Sequence, residues 1–298
     1  MTPLDRREFL VAGAGILILA ACGKSGDDEP AAVKVTKPNE EPDAKSAKGA
    51  GAGAGVVNLV VASYVHVAGA EQRLALAFLN EEGTGPVKPD GPVTVTIDGK
   101  PVQSELHADG SLELPYLLVR HTFDKPGFAT VKTTYKGAKS EAAIEVVDPA
   151  KAKAPLAGHP LPSVPTPTTA DARGVDPICT HDPVCPLHEV SLDAALTEKR
   201  PLAVLFATPA RCQSRLCGPV LDNLVAHHAA FSDRVRFLHV EVYASRTGNT
   251  LAPAMKAYGL TQEPFLFLAG ADGVIRERID NAYDKAEAKQ ALERLLSS

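Results

Sequence analysis

Tryptophan is absent from the 298-residue chain, and aromatic residues make up only 5% of it. Surfaces that stack sugars or nucleobases depend on such rings, so this scarcity argues against an aromatic binding platform. A basic excess is also missing, since 31 Lys and Arg stand against 36 Asp and Glu for a formal net charge of −5. The chain therefore lacks the charge that binds phosphates, and we expect no nucleic acid partner.

Long hydrophobic runs are lacking as well. The uncharged run Phe9–Ala21 is shorter than the about 18 apolar residues of a membrane-spanning helix. The hydrophobic fraction of 45% is ordinary for soluble proteins, which excludes a polytopic membrane protein. At about 150 residues per domain, the length predicts two domains.

The amino terminus has the pattern of a targeting segment. Arg6 and Arg7 precede the run Phe9–Ala21, which predicts a signal peptide over residues 1–22. The arginine pair resembles a twin-arginine export motif, and Leu19-Ala20-Ala21-Cys22 resembles a bacterial lipobox. These resemblances imply an extracytoplasmic lipoprotein, anchored to the bacterial cell membrane through lipid on Cys22. The alternative is an uncleaved signal anchor.

Composition divides the rest of the chain into two folded parts and two linkers. Residues 23–55 are polar and rich in small residues, which predicts a disordered tether. Prolines recur through residues 149–176 and favour an extended, semi-rigid linker. We therefore place one domain over residues 56–148 and the other over residues 177–298.

The first domain shows period-two apolar alternation broken by turns. Leu74, Leu76 and Phe78 fall on one face, and Val93, Val95 and Ile97 form a second inward row. Asp98-Gly99 predicts a two-residue type I′ hairpin turn, and Asp109-Gly110 repeats the signal. This pattern predicts an all-β sandwich of immunoglobulin-like architecture.

The second domain alternates helical and strand patterns. Ser191 is expected to cap a first helix, and the apolar run Pro201–Ala207 predicts a strand buried on both faces. The remaining pattern gives the order β, α, β, α, β, β, α, an α/β layer sandwich. The predicted segments after the first strand are a helix through Ala230, a strand at Arg234–Val242, a helix at Leu251–Tyr258, strands at Phe265–Leu268 and Val274–Ile279, and a helix at Lys285–Leu296.

Residues 254–270, with their Tyr258-Gly259 turn and Glu263-Pro264 pair, resemble the thioredoxin family. The resemblance runs from Ser191 to the end of the chain and implies a thioredoxin-like fold. Pro264 matches the family's cis-proline, which lies against the active-site cysteines. The resemblance thus implies that Glu263 and Pro264 contact substrate.

Cys212 and Cys217 stand where the resemblance places the redox cysteines, between the first strand and its helix. A thiol at a helix start is acidified by backbone N–H groups and the helix dipole, so Cys212 is the expected nucleophile and Cys217 the resolving thiol. We also expect the flanking Arg211 and Arg215 to lower the pKa of Cys212. The spacing is C-x4-C where the family has C-x2-C, and Leu205 occupies the place of the family's buried acid. The alternative is a static disulfide.

Cys179 and Cys185 lie just before this domain. In an oxidising compartment they are expected to form a structural disulfide. Two alternatives stay open: a metal site with His181 and His188, since sulfur and nitrogen suit zinc or copper, and a shuttle disulfide exchanging with Cys212.

The leading functional hypothesis is a membrane-anchored thiol–disulfide oxidoreductase whose partners are client proteins with thiols or disulfides. We assign no cofactor and no metal. A non-catalytic binding or scaffold lipoprotein with structural disulfides is the first alternative, because a fold never establishes a function. A copper chaperone is the second.

Overall fold

The structure, a computed structural model, describes residues 57–297. The predicted signal peptide, the lipidation site Cys22 and the tether over residues 23–55 lie outside this range. Among residues 57–297, no helix has both the length and the apolar character needed to cross a membrane.

Two five-stranded sheets form the first part of the described chain. One sheet has the order β1-β3-β8-β7, with β4 also paired to β3, and the other has the order β2-β10-β9-β5-β6. Their strands are β1 (Asn58–Val61), β2 (His66–Val67), β3 (Glu71–Leu79), β4 (Pro86–Val87), β5 (Val93–Ile97), β6 (Lys100–Val102), β7 (Glu105–His107), β8 (Tyr116–Thr122), β9 (Gly127–Tyr135) and β10 (Ala138–Val147).

The sandwich core contains most of the two predicted apolar rows. Leu74, Leu76 and Phe78 are buried on β3, and Val95 and Ile97 are buried on β5. Val93 is only partly buried and packs at the margin of the same core. Alternation along the strands thus brings both rows to one interior.

The two Asp-Gly signals have different outcomes. Asp98 and Gly99 have φ values of 49° and 78° and join β5 to β6, which is the geometry of a type I′ turn. Asp109 lies in the longer β7–β8 connection, so a second two-residue hairpin there was a wrong prediction. Its carboxylate accepts hydrogen bonds from the amides of Ser111 and Ala286 instead. The Asp109 side chain therefore binds an amide at the start of a helix that is distant in sequence.

The proline-rich segment packs against the C-terminal domain. A 3₁₀ turn over Pro149–Lys151 opens it, and further on the amide of Leu161 donates to the carbonyl of Gly273. Ala154 and Leu161 are buried in a core shared with the C-terminal sheet. The segment therefore packs along the C-terminal domain, whereas the proline pattern predicted an extended, semi-rigid linker.

The C-terminal domain has the predicted order of elements. They are α1 (Leu192–Thr197), β11 (Leu202–Ala207), a 3₁₀ turn (Pro209–Arg211), α2 (Cys217–Phe231), β12 (Arg236–Glu241), α3 (Pro253–Ala257), β13 (Phe265–Ala269), β14 (Ile275–Asp280) and α4 (Lys285–Ser297). The four strands form one sheet in the order β12-β11-β13-β14. This is the thioredoxin-like arrangement that the resemblance implies.

Burial explains why β11 can occupy the centre of this sheet. All six of its residues are buried, and it pairs with β12 in parallel and with β13 antiparallel. A strand covered on both faces needs a continuous apolar run, which Leu202–Ala207 supplies. The segment that contains Cys212 and Cys217 follows at the carboxyl end of this central strand. Ser191 does precede α1, but its hydroxyl accepts from the amide of Thr166 and donates to the carboxylate of Asp193, so it makes no cap to the helix.

The two domains share a buried contact. Ala75 and Ala77, on the outer face of β3, join the same apolar cluster as residues of α2 and α4. At its edge the Arg73 guanidinium forms two hydrogen bonds with the Glu287 carboxylate, of 2.5 and 2.6 Å. The sandwich therefore covers one helical face of the thioredoxin-like domain.

Candidate active site

Cys212 and Cys217 are brought together by an irregular turn. Cys212 follows the 3₁₀ turn Pro209–Arg211, whereas Cys217 is the first residue of α2. Between them the amide of Arg215 donates to the carbonyl of Cys212 at 3.2 Å, and Arg215 adopts a left-handed φ of 60°. If both cysteines were helical, the C-x4-C spacing would place the two thiols on different helix faces. Only Cys217 is helical, so the irregular turn can bring the thiols together.

The sulfur of Cys212 accepts hydrogen bonds at the helix start. The amide of Cys217 donates to it at 3.1 Å, and the Ser214 hydroxyl lies 3.2 Å away. Hydrogen bonding from the Cys217 thiol, from Ser214 and from the amides of Cys217 and Leu216 outweighs burial and lowers the pKa of Cys212 to about 6. Cys212 is therefore largely thiolate at neutral pH.

Cys217 has the opposite character. Its side chain is fully buried, and burial together with the neighbouring Cys212 raises its pKa well above the ordinary range. A partly exposed thiolate next to a buried thiol is the asymmetry that a nucleophile and a resolving cysteine require.

Arg211 does not act on Cys212 as expected. Its guanidinium donates to the carbonyls of Ser245 and Gly248 and to the Asn249 side chain, and it lies 4.1 Å from the Tyr243 ring centroid. Hydrogen bonds, rather than flanking arginines, account for the lowered pKa of Cys212. The expected acidification by backbone N–H groups at the helix start agrees with these hydrogen bonds, whereas the further contribution expected from Arg211 and Arg215 is not among the causes.

Glu263 and Pro264 lie opposite the cysteines. The Glu263–Pro264 peptide bond is cis, as the resemblance implies. A carboxylate oxygen of Glu263 and the sulfurs of Cys212 and Cys217 all lie within 4.8 Å of one another. Burial, and secondly the charge of Cys212, raises the pKa of Glu263 to about 7. The site therefore contains a carboxyl group that can exchange protons near neutral pH.

A residue of the sandwich reaches this site. The Tyr64 hydroxyl donates to the Glu263 carbonyl at 2.7 Å, and its ring lies 5.5 Å from that of Phe265. Sequence reasoning missed Tyr64, because nothing local links the loop after β1 to a proline loop about 200 residues later.

Cys179 and Cys185 form a second cluster, with their sulfurs 3.8 Å apart as free thiols. A disulfide needs about 2.05 Å, so the bond that we expected is not formed in this structure. His188 joins both cysteines, but His181 instead bonds Asp222. The fourth member is His239 in β12, which sequence reasoning did not select. A single histidine inside a buried apolar strand was the available signal.

No protein-family model matches the chain, and no curated protein matches it in sequence. Among solved structures, it is similar to a thioredoxin-family thiol:disulfide interchange protein from Chlorobium tepidum TLS, with 17% identity over 48% of this chain and 99% of that chain and a TM-score of 0.33. It is also similar to MTB dsbF, with 17% identity over 37% of this chain and 90% of that chain and a TM-score of 0.27. A third similarity is to the CARDB domain of a Pyrococcus furiosus protein, with 20% identity over 31% of this chain and 87% of that chain and a TM-score of 0.21. The chemistry of the site is therefore inferred from its own residues.

Proposed function

We propose that this protein is a membrane-anchored, extracytoplasmic thiol–disulfide oxidoreductase that acts on protein disulfides. The observation that carries the proposal is the pairing of Cys212, whose pKa is lowered to about 6, with the buried Cys217, whose pKa is raised. A structural bridge has no need of this difference, whereas exchange chemistry does, because thiolate is the attacking species.

The first step is attack by the Cys212 thiolate on one sulfur of a client disulfide. A bond forms between Cys212 and that sulfur, the client S–S bond breaks, and the leaving client sulfur takes up a proton. The amides at the start of α2 favour the anionic form of Cys212 before attack. The product is a mixed disulfide between enzyme and client.

Resolution requires Cys217 to lose its proton. Glu263 is the acceptor, because its carboxylate lies within 4.8 Å of both sulfurs and its pKa is raised to about 7. The Cys217 thiolate then attacks the Cys212 sulfur, the mixed disulfide breaks, and the client leaves as a dithiol while the enzyme holds a Cys212–Cys217 disulfide. Glu263 thereby supplies the carboxyl function that Leu205 lacks.

A further round needs a dithiol reductant to return the enzyme to its reduced form. In the reverse sense the oxidised enzyme accepts attack by a client thiol and leaves a disulfide in the client. Glu263 serves both directions, since a group with a pKa near 7 both accepts and returns a proton.

Attachment to the membrane is proposed through lipid on Cys22. The motif that ends at Cys22 supports this, as does the polar, small-residue tether over residues 23–55. Cys22→Ser should release the protein from the membrane fraction or leave the precursor unprocessed. Full retention of Cys22→Ser at the processed size would contradict the anchor.

Trapping of clients tests the proposed activity. Cys217→Ser removes the resolving thiol, so a Cys212 mixed disulfide with client proteins should accumulate on non-reducing gels and disappear with reductant. Cys212→Ser is the matched control, because it keeps the second thiol and removes the nucleophile. If Cys217→Ser traps no more protein than Cys212→Ser, the proposed activity is wrong.

A further inference from the structure

A second group of reactive side chains lies away from the Cys212–Cys217 pair. It consists of Cys179, Cys185, His188 and His239, all at most 5% exposed. The first three belong to a segment that runs along β12, the edge strand of the C-terminal sheet, where the amide of His239 donates to the carbonyl of Leu187. We propose that these four residues bind one tetrahedral zinc ion.

Five of the six distances between the four donor atoms fit a common ligand sphere, and the sixth, between Cys179 and His188, is within 4.8 Å. Zinc bonds of about 2.3 Å to sulfur and about 2.0–2.1 Å to nitrogen give tetrahedral edges of about 3.8 Å for S···S, about 3.5 Å for S···N and about 3.3 Å for N···N. The Cys179 and Cys185 sulfurs are 3.8 Å apart, and the two histidine nitrogens are 3.2 Å apart. The sulfur–nitrogen separations are 3.6 Å for Cys179–His239, 3.4 Å for Cys185–His239 and 3.3 Å for Cys185–His188.

The ring of His239 is held with a lone pair directed into the cluster. Its Nε2 lies 3.1 Å from the carbonyl of Ala207. Because a carbonyl only accepts, Nε2 carries the proton and Nδ1 is left with its lone pair. Nδ1 faces both sulfurs and the Nε2 of His188. A backbone carbonyl behind a histidine is the arrangement that orients metal-binding imidazoles.

Hydrogen bonds within the cluster do not satisfy all four groups. The Nδ1 lone pair of His239 faces two sulfurs and the Nε2 of His188, and only one of these neighbours can donate a hydrogen bond to it at a time. A metal ion at the centre accepts one lone pair from each residue at once. Two thiolates and two neutral imidazoles leave a zinc(II) centre uncharged, which suits a buried position. Binding releases the two thiol protons to solvent.

The burial of all four donors indicates a closed, structural site rather than one with an open position for substrate. Its position links it to the redox loop. Thr180, next to Cys179, accepts a hydrogen bond at Oγ1 from the amide of Ala210, and its own amide donates to Glu241. Zinc would therefore fasten the segment over residues 179–188 to the sheet edge and support the turn that presents Cys212.

Metal content of the full chain tests the proposal. Protein purified without a histidine tag should contain about one zinc per chain by elemental analysis. Cys212→Ser/Cys217→Ser should keep the metal, so that loss of redox activity and loss of zinc are scored separately. His181→Asn is a matched control, since His181 lies in the same segment but bonds Asp222. Cys179→Ser and His239→Ala should each lose the zinc.

A second measurement guards against variants that do not fold. Metal-free protein, prepared with chelator and reductant, should take up one equivalent of Co²⁺ with the intense visible absorption of a tetrahedral thiolate site, and zinc(II) chloride should remove that absorption. Protein without bound metal that fails this titration, or that carries a Cys179–Cys185 disulfide by peptide mapping even when expressed with added zinc, would overturn the proposal. Copper in place of zinc, with no zinc competition, would also overturn it.

Discussion

The amide of Cys217 donates a hydrogen bond to the sulfur of Cys212, and the two atoms are 3.1 Å apart. Leu216, at the N-cap position of α2, provides no side-chain cap. The Cys212 sulfur thus accepts from the amide of the first helical residue, one of the donors that a helix start leaves without a backbone partner. A thiolate accepts this bond better than a thiol, and the helix dipole adds to the preference. Helix formation and thiol acidity are therefore coupled through one atom.

Cys217→Ala is expected to raise the pKa of Cys212. The substitution removes the thiol that contributes most to the lowering, while the helix amide stays. The midpoint of Cys212 alkylation by iodoacetamide should move from about pH 6 in the reduced protein toward the ordinary value of about 8.5. Mass spectrometry of the Cys212 peptide measures it. Ser214→Ala should give a smaller shift in the same direction, and an unchanged midpoint in Cys217→Ala would contradict the assigned cause.

Glu263→Gln is expected to change how stability depends on pH. In the unfolded chain a glutamate ionises near its ordinary pKa of about 4.3, whereas folded Glu263 keeps its proton up to about pH 7. Between these values the folded state binds more protons, so the free energy of unfolding falls as pH rises. Urea denaturation of the reduced protein should show wild type losing stability relative to Glu263→Gln from about pH 4.5 to about pH 7.

The exposed Glu293 provides the comparison for this pH series. Glu293→Gln is the matched control for the loss of one surface carboxylate, and Glu263→Gln should change the slope of stability against pH by more than Glu293→Gln does. Oxidation of Cys212 and Cys217 should reduce the difference in pH dependence between wild type and Glu263→Gln, since the Cys212 charge is the second cause of the raised pKa of Glu263. Parallel curves for wild type and Glu263→Gln would show that Glu263 titrates normally.

The C-terminal domain could be predicted from sequence because its signals are local. Continuous apolar runs mark β11 and β13, and the Asp272-Gly273 turn marks the β13–β14 hairpin. The cysteine pair and the cis Glu263–Pro264 bond followed from the resemblance. A pattern of this kind identifies a secondary-structure segment and the segments next to it along the sequence.

Contacts distant in sequence could not be predicted in this way. Ala75 and Ala77 lie on the face of β3 that an alternating pattern assigns to solvent, yet they pack against the other domain. Arg73 pairs with a carboxylate 214 residues away. His239 sits among apolar neighbours, and its partners lie 51 to 60 residues earlier. Periodicity reports burial, but it does not identify the residue on the other side of the contact.

The buried Arg73–Glu287 pair predicts a large cost for breaking the contact between the domains. Glu287→Gln leaves the Arg73 guanidinium buried without its counter-charge, and we expect a loss of about 3–5 kcal/mol in the free energy of unfolding. Glu293→Gln breaks the exposed pair with Lys289 on the same helix and should cost about 1 kcal/mol or less. Urea denaturation measures both losses.

A double variant distinguishes the effect of the ion pair on stability from the effect of burying its two side chains. Arg73→Met/Glu287→Leu replaces both charges with apolar side chains and should be less destabilised than the sum of its two single variants. Additive losses, or a Glu287→Gln protein as stable as Glu293→Gln, would show that the pair does not stabilise the contact.

Tyr64→Phe tests whether the sandwich takes part in the redox site. The hydroxyl of Tyr64 donates to the Glu263 carbonyl, and burial followed by the two active-site cysteines raises its pKa, so it remains a donor throughout the working pH range. Phenylalanine keeps the ring against Phe265 and removes the hydroxyl, which also interacts with the Ser214 side chain, and losing the bond to Glu263 should cost about 0.5–1.5 kcal/mol. Glu263 then loses an anchor beside Cys217. We expect the client mixed disulfide to be released a few-fold more slowly, measured by quenching with acid and separating the species on non-reducing gels.

Tyr135→Phe is the control for this prediction. It removes a hydroxyl bonded to Asp90 in the sandwich and should leave that release rate unchanged. Equal rates for Tyr64→Phe and wild type would mean that the sandwich contacts the site without influencing its chemistry.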